Sequence, residues 1–167
     1  MNHNTVIDIP ALYYLPLNFR WVSKREVYKV PFFGQFLFLH GDICIDRGRA
    51  AEAMEQLLRE GRMWIARGAS VAVFPEGTRT KDGNLGKLKS GAFVIAAEAG
   101  VDMIPCRIIY KGGKMRVFGR CTVVFGKPIP AEKLKLGEPR SAARLRECKA
   151  LLAEELEKLL EENRQYL

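Results

Sequence analysis

An α/β fold is what this 167-residue sequence predicts: a central mixed, partly parallel sheet flanked by helices, in one layer-type domain spanning 1–167. Three observations point there. Two short apolar runs, Ile43-Cys44-Ile45 and Val71-Ala72-Val73, read as buried strands on either side of a helical periodicity from Ala50 to Arg67. Two β-type segments, 103–110 and 115–126, are separated by the hairpin-like Lys111-Gly112-Gly113-Lys114. The chain then closes on an amphipathic helical pattern over 139–165, with Leu145, Cys148, Leu152, Leu156, Leu159 and Leu160 on one face.

Taken in order, the chain opens with Thr5 as a plausible N-cap, and Ile7, Ala11, Leu12 and Leu15 keep a helical spacing despite Pro10. His3 and Asp8 are five residues apart, too far to be neighbours on one regular helical face. They meet if His3 lies in a loop and Asp8 in the first helical turn. A carboxylate beside an imidazole fixes its tautomer and raises its basicity, as a general base requires. Two exposed polar residues at a frayed terminus is the competing reading.

Phe19 to Lys24 reads as a strand. Pro31 to Leu39 is the most apolar and aromatic stretch of the chain, and Lys24, Arg25 and Lys29 precede it. It is too short to span a bilayer. It suits a helix lying at a lipid interface, one walling an acyl pocket, or a core helix. His40, which follows, reads as structural. Gly68 is the expected C-terminal cap of the helix from Ala50 to Arg67. The order strand, helix, strand predicts a right-handed crossover and a parallel pair, with both charged strand exits on one rim. One exit is Asp46-Arg47-Gly48-Arg49.

The other exit, Phe74-Pro75-Glu76-Gly77-Thr78-Arg79, is the most informative stretch. Pro75 restricts one backbone angle and Gly77 frees another, so that backbone N–H groups can converge on an anion. Arg79 adds a planar fork suited to phosphate. An ordinary strand exit with a surface ion pair fits the same residues. The loop 80–89 is rich in glycine and lysine, and Ser90 caps or Gly91 opens the helix that follows. Lys87 and Lys89 therefore stand near a helix N-terminus, either favouring an anion or simply solvated.

Lys and Arg outnumber Asp and Glu by eight, for a pI near 9.5. Anionic partners are favoured: a membrane surface or phosphorylated small molecules. Zinc spacing, a helix-turn-helix signature and RNA-binding aromatics are absent from the sequence, so nucleic acid is not expected. Cys44, Cys106, Cys121 and Cys148 are far apart, with no CxxC pair, and read as four buried structural thiols rather than metal ligands. No apolar run is long enough to cross a bilayer, so a soluble or membrane-peripheral chain is expected.

Together, Asn2-His3 with Asp8, Ile45-Asp46-Arg47, Phe74 to Arg79, and Ile104-Pro105-Cys106 resemble, in order, the four sequence blocks of the glycerolipid acyltransferase family, whose best-known members are the 1-acylglycerol-3-phosphate acyltransferases. The resemblance runs from Asn2 to about Pro130. It implies transfer of a fatty acyl group from an acyl thioester, carried by coenzyme A or acyl carrier protein, to the free hydroxyl of a lysophosphatidate-like glycerophospholipid. His3 would be the general base and Asp8 its orienting partner. Glu76, Gly77, Thr78 and Arg79 would bind the acceptor, with Arg79, Arg47 and Lys89 at its phosphate. Backbone amides around Gly77 are expected to face the developing oxyanion. The resemblance implies no metal, no cofactor beyond the donor substrate, and work at the cytoplasmic face of a membrane as a peripheral protein.

The family usually carries a helical element before its histidine. This chain is therefore expected to be an N-terminally short form with impaired turnover. Two alternatives stay open: a different acceptor, such as glycerol-3-phosphate, another lysolipid or an amino-lipid, and a non-catalytic module that binds anionic lipid.

Overall fold

The computed structural model describes residues 8–46, 48–77, 85–112 and 119–167, apart from the side chains of Asp8, Pro10 and Ala11. Two compact units emerge, Leu17–Val73 and a second made of Met1–Pro16 with Phe74–Leu167.

The unit Leu17–Val73 is built on three parallel strands: β1 (Phe19–Lys24), β2 (Ile43–Ile45) and β3 (Ser70–Ala72), in the order β2-β1-β3. The helix α3 (Ala50–Ala66) joins β2 to β3 as the periodicity predicts. The two strands do not pair with each other, however, because β1 stands between them. The reason lies in what β1 carries: Phe19, Trp21 and Val22 are all buried, and Trp21 completely so. The strand with most to bury takes the centre, where neighbours cover it on both edges.

Register staggers the flanks. β3 pairs with Phe19 to Trp21 and β2 with Val22 to Lys24. The carboxyl end of β2 therefore reaches about 10 Å beyond that of β3 along the sheet. Gly68 takes φ +78 just past α3, as the capping pattern requires. Between β1 and β2 come a 3-10 turn, Arg25–Lys29, and α2 (Phe33–His40). α2 turns Gly34 and Leu37 inward. Asp42 secures its far end: Oδ1 accepts the Trp21 N–H at 2.7 Å and lies 2.9 Å from His40 Nδ1. His40 thus ties the last turn of α2 to Asp42.

In the other unit, α1 (Asp8–Tyr13) buries Ile9 and Leu12. Leu15 is only half-buried, so Ile9 replaces part of the predicted stripe. α4 (Gly91–Ala99) buries Phe93, Val94, Ile95 and Ala96. Ser90 makes no side-chain cap; its carbonyl instead accepts from Phe93 and Val94 N–H. β4 (Cys106–Tyr110) and β5 (Cys121–Phe125) pair antiparallel as expected, but Tyr110 stands opposite Cys121, so ten residues rather than the expected four separate the two strands. Met103 lies outside β4, bridging Ile129 instead. After the short α5 (Ala131–Leu134), α6 (Ala142–Glu162) lays Cys148, Leu152, Leu156 and Leu159 into the core, with Ser141 as its N-cap.

Candidate functional site

Past β3, the chain reverses at Phe74-Pro75-Glu76-Gly77, where the Gly77 N–H donates to the Phe74 carbonyl at 3.1 Å. Proline second and glycine fourth suit the commonest β-turn. Gly77 adopts φ +68, a region that favours glycine. Closing this turn engages the Gly77 N–H, while the amides that follow it, at 78–84, lie outside the described residues.

Glu76 turns inward. It is 2% exposed, and Oε2 accepts the N–H of Gly86 at 2.7 Å, ten residues further on. The carboxylate is buried rather than at the surface, and it is an internal anchor of the loop. A buried carboxylate needs compensation. Part of it comes from Arg107 in β4, itself 4% exposed, whose Nη1 donates to the Leu156 carbonyl of α6 at 2.9 Å. Burial lowers the Arg107 pKa from its ordinary value, while the negative charges of Glu76 and Glu157 raise it. The guanidinium stays protonated at any working pH. Sequence reasoning missed Arg107. Its signal was a lone charge in an apolar strand, where an ionised group must have a partner.

Lys89 meets the turn from the other side. Its N–H donates to the Pro75 carbonyl at 2.7 Å, and Leu88 beside it is buried. The side chain is exposed, and its stem crosses Gly77: a Cβ at that glycine would stand 3.0 Å from Lys89 Cε and 3.5 Å from Nζ. Gly77 and Lys89, twelve positions apart in sequence, are thus brought together. The result is a glycine-bearing turn with an ammonium above it and a buried carboxylate behind it. Such an arrangement can receive an anion.

At the end of β2, Asp46 Oδ1 accepts the Gly48 N–H at 3.0 Å and Oδ2 lies 3.5 Å from Arg25 Nη1. Position 47 between them lies outside the described residues, as do His3, Thr78 and Arg79. Asp8 opens α1, with its side chain outside them too.

All four cysteines are free, but they are not four buried thiols: Cys106 and Cys148 are buried, Cys44 is half-buried and Cys121 is exposed. Cys121 differs because it begins the edge strand β5 next to the hairpin connection. Burial pushes the Cys106 thiol up to about 11 and raises Cys44 and Cys148 as well. These thiols are poor nucleophiles at neutral pH. Among the described residues, no group of three His, Cys, Asp or Glu side chains is placed to hold a metal ion. No described helix is long and apolar enough to cross a membrane.

Residues 1–109 match the family model described as Acyltransferase. The chain belongs to the acyltransferase family. A 1-acyl-sn-glycerol-3-phosphate acyltransferase of Chlamydomonas reinhardtii is 35% identical over 141 residues, covering 79% of this chain and 42% of that protein. One of Pseudomonas aeruginosa is 38% identical over 130 residues, covering 74% and 49%. The chain thus spans about half the length of these curated acyltransferases. The crystal structure of the 1-acyl-sn-glycerophosphate acyltransferase of Thermotoga maritima superposes with a TM-score of 0.62 at 21% identity, covering 93% of this chain and 64% of that one. That likeness shows a shared fold, and it includes the helix-flanked parallel strands.

Proposed function

We propose that the chain transfers a fatty acyl group from an acyl thioester, of coenzyme A or acyl carrier protein, to the free hydroxyl of a lysophosphatidate-like glycerophospholipid. His3 accepts the hydroxyl proton as that oxygen attacks the thioester carbonyl, and Asp8 holds the imidazole and its protonated form. The tetrahedral intermediate then collapses and expels the thiolate, which takes the proton back from the imidazolium. Ester and free thiol leave, with atoms and charge balanced and no metal or acyl-enzyme required. Such a base contributes roughly 10²–10⁴-fold.

Arg79, Arg47 and Lys89 neutralise the acceptor phosphate in this reading, and Thr78 adds a hydroxyl. Gly77 keeps the turn open beneath the phosphate, while Glu76 holds the loop from inside. The observation that carries the proposal is the Phe74–Gly77 turn, with Glu76 buried behind it and Lys89 over it, in a chain of the acyltransferase family. The chain works, on this reading, as a peripheral protein at the cytoplasmic face of an anionic membrane, its net charge of +8 favouring that surface.

The test is thiol release from acyl-CoA with a panel of acceptors: lysophosphatidate, glycerol-3-phosphate, other lysolipids and an amino-lipid. Preference for lysophosphatidate, lost in His3→Ala, supports the proposal. Equal turnover by His3→Ala overturns the assigned base, and activity on another acceptor alone overturns the substrate. No turnover, with anionic lipid still bound, favours the non-catalytic module.

A further inference from the structure

From Val30 to Leu39 the chain has ten residues and no ionisable side chain. In a folded unit such a run is normally buried. Here α2 buries only Gly34 and Leu37, while Phe32 is 89% exposed, Phe38 75% and Leu39 83%. Val30 and Phe36 are also exposed. The helix cannot roll to hide them, because a Cβ at Gly34 would stand 2.0 Å from the Tyr28 carbonyl oxygen, which fixes its inner face against the 3-10 turn. A contiguous apolar surface of this kind marks an interaction site.

The backbone adds a second, independent sign. Phe32 takes φ +62, a conformation that a bulky residue adopts only under strain. The strained residue gains no packing within the unit, since its ring stands in solvent. Strain that persists without internal return points to a function at that residue.

Charge identifies the occupant. Lys24, Arg25 and Lys29 are exposed and immediately precede the apolar run, against Glu26 in the same segment and Asp46, whose Oδ2 lies 3.5 Å from Arg25 Nη1. A second copy of the chain would bring like charges face to face. An anionic bilayer supplies both halves of the match: hydrocarbon for the rings and phosphate for the cations.

We propose that this face docks on an anionic lipid bilayer, with Phe32, Phe38 and Leu39 entering the boundary between headgroups and acyl chains and Lys24, Arg25 and Lys29 against the headgroup phosphates. The assignment rests on the membrane half of the proposed function and not on its acyl chemistry. It goes beyond that reading by giving the docking to one helix and its flanking turn.

The experiment is sedimentation of the 167-residue chain with vesicles of phosphatidylcholine alone, or of phosphatidylcholine and phosphatidylglycerol in equal parts. The wild type partitions onto the mixed vesicles. Combined Phe32→Ser, Phe38→Ser and Leu39→Ser weakens that binding more than about tenfold. Combined Lys24→Gln, Arg25→Gln and Lys29→Gln costs about fivefold per cation on mixed vesicles and little on neutral ones. Both variants keep the wild-type melting temperature, because every altered side chain is exposed.

Wild type that stays in the supernatant overturns the proposal, as does an apolar variant that binds like wild type. A wild-type dimer dispersed by the apolar substitutions, without vesicle binding, gives the face to a second copy and also overturns it. Thiol release with a water-soluble short-chain acceptor separates the two readings. Binding without turnover sinks the chemistry alone; turnover without binding sinks the docking face alone.

Discussion

The stem of Lys89 lies directly over Gly77: a methyl group at the glycine would stand 3.0 Å from Lys89 Cε and 3.1 Å from Cδ. The obstructing atoms belong to a flexible side chain, but the glycine φ of +68 does not relax so readily. Gly77→Ala is therefore expected to cost about 1–2 kcal/mol of stability from backbone strain. It also displaces the ammonium. On the proposed function, the KM for the acceptor rises more than kcat falls; equal KM in both proteins would separate Lys89 from the acceptor phosphate.

Arg107 and Glu76 are both buried in the same unit, and each answers the other's charge. Arg107→Met preserves bulk but removes the donor to the Leu156 carbonyl and part of the field on Glu76. Leaving a buried charge less compensated costs about 3 kcal/mol. Urea denaturation should show that loss, with Arg107→Lys in between because it restores charge but not the planar fork. A Met variant as stable as wild type would show that Glu76 is neutralised elsewhere.

Burial raises the Cys106 thiol from 9.0 to about 11, so the folded chain holds this proton more firmly than the unfolded chain. The sign follows. The stabilisation is complete below pH 9, falls as pH climbs from 9 to 11, and is gone above that. Two pKa units correspond to at most about 3 kcal/mol. In Cys106→Ala, the slope of stability against pH over this window should flatten; an unchanged slope would assign alkaline loss to other groups.

Thiol labelling should follow exposure. Cys121 reacts first under native conditions, Cys44 next, and Cys106 and Cys148 only on unfolding, since two are accessible and two are not. Mass spectrometry after a short pulse of alkylating reagent reads this order, and early modification of Cys148 would contradict the placement of α6.

Gly34 sits where α2 approaches the carbonyl of Tyr28 most closely. A Cβ there would lie 2.0 Å from that oxygen, and the obstacle is backbone rather than a movable side chain. Gly34→Ala is expected to cost about 3 kcal/mol or to lift α2 off the 3-10 turn. A thermal melt detects the first outcome and faster amide exchange in α2 the second; a variant with neither change would contradict the packing of this helix.

Much of the architecture was legible because it is local. Helical periodicity placed α3 to within a residue and α6 to within three at each end, the apolar β-type runs announced an antiparallel β4–β5 pair though not its register, and a proline–glycine pair announced the Phe74–Gly77 turn. Such signals live within one turn of helix or one strand, so neighbouring residues carry them. The roles of His3, Arg47, Thr78 and Arg79 are what the resemblance to the glycerolipid acyltransferases implies, and these residues lie outside the described ones.

Three relationships needed the folded chain. β1 separates β2 from β3 because its Trp21 demands cover from both sides. Glu76 faces Gly86 and the field of Arg107 instead of solvent. The apolar stretch after Lys29 keeps Phe32, Phe38 and Leu39 outside because Gly34 alone can approach Tyr28. Periodicity says that a residue is apolar or charged, whereas what covers it is settled by chain segments far away in sequence. The sequence by itself determined the kinds of element and the family; burial, partners and the order of strands were decided by close packing among distant residues, where volume and charge must balance together.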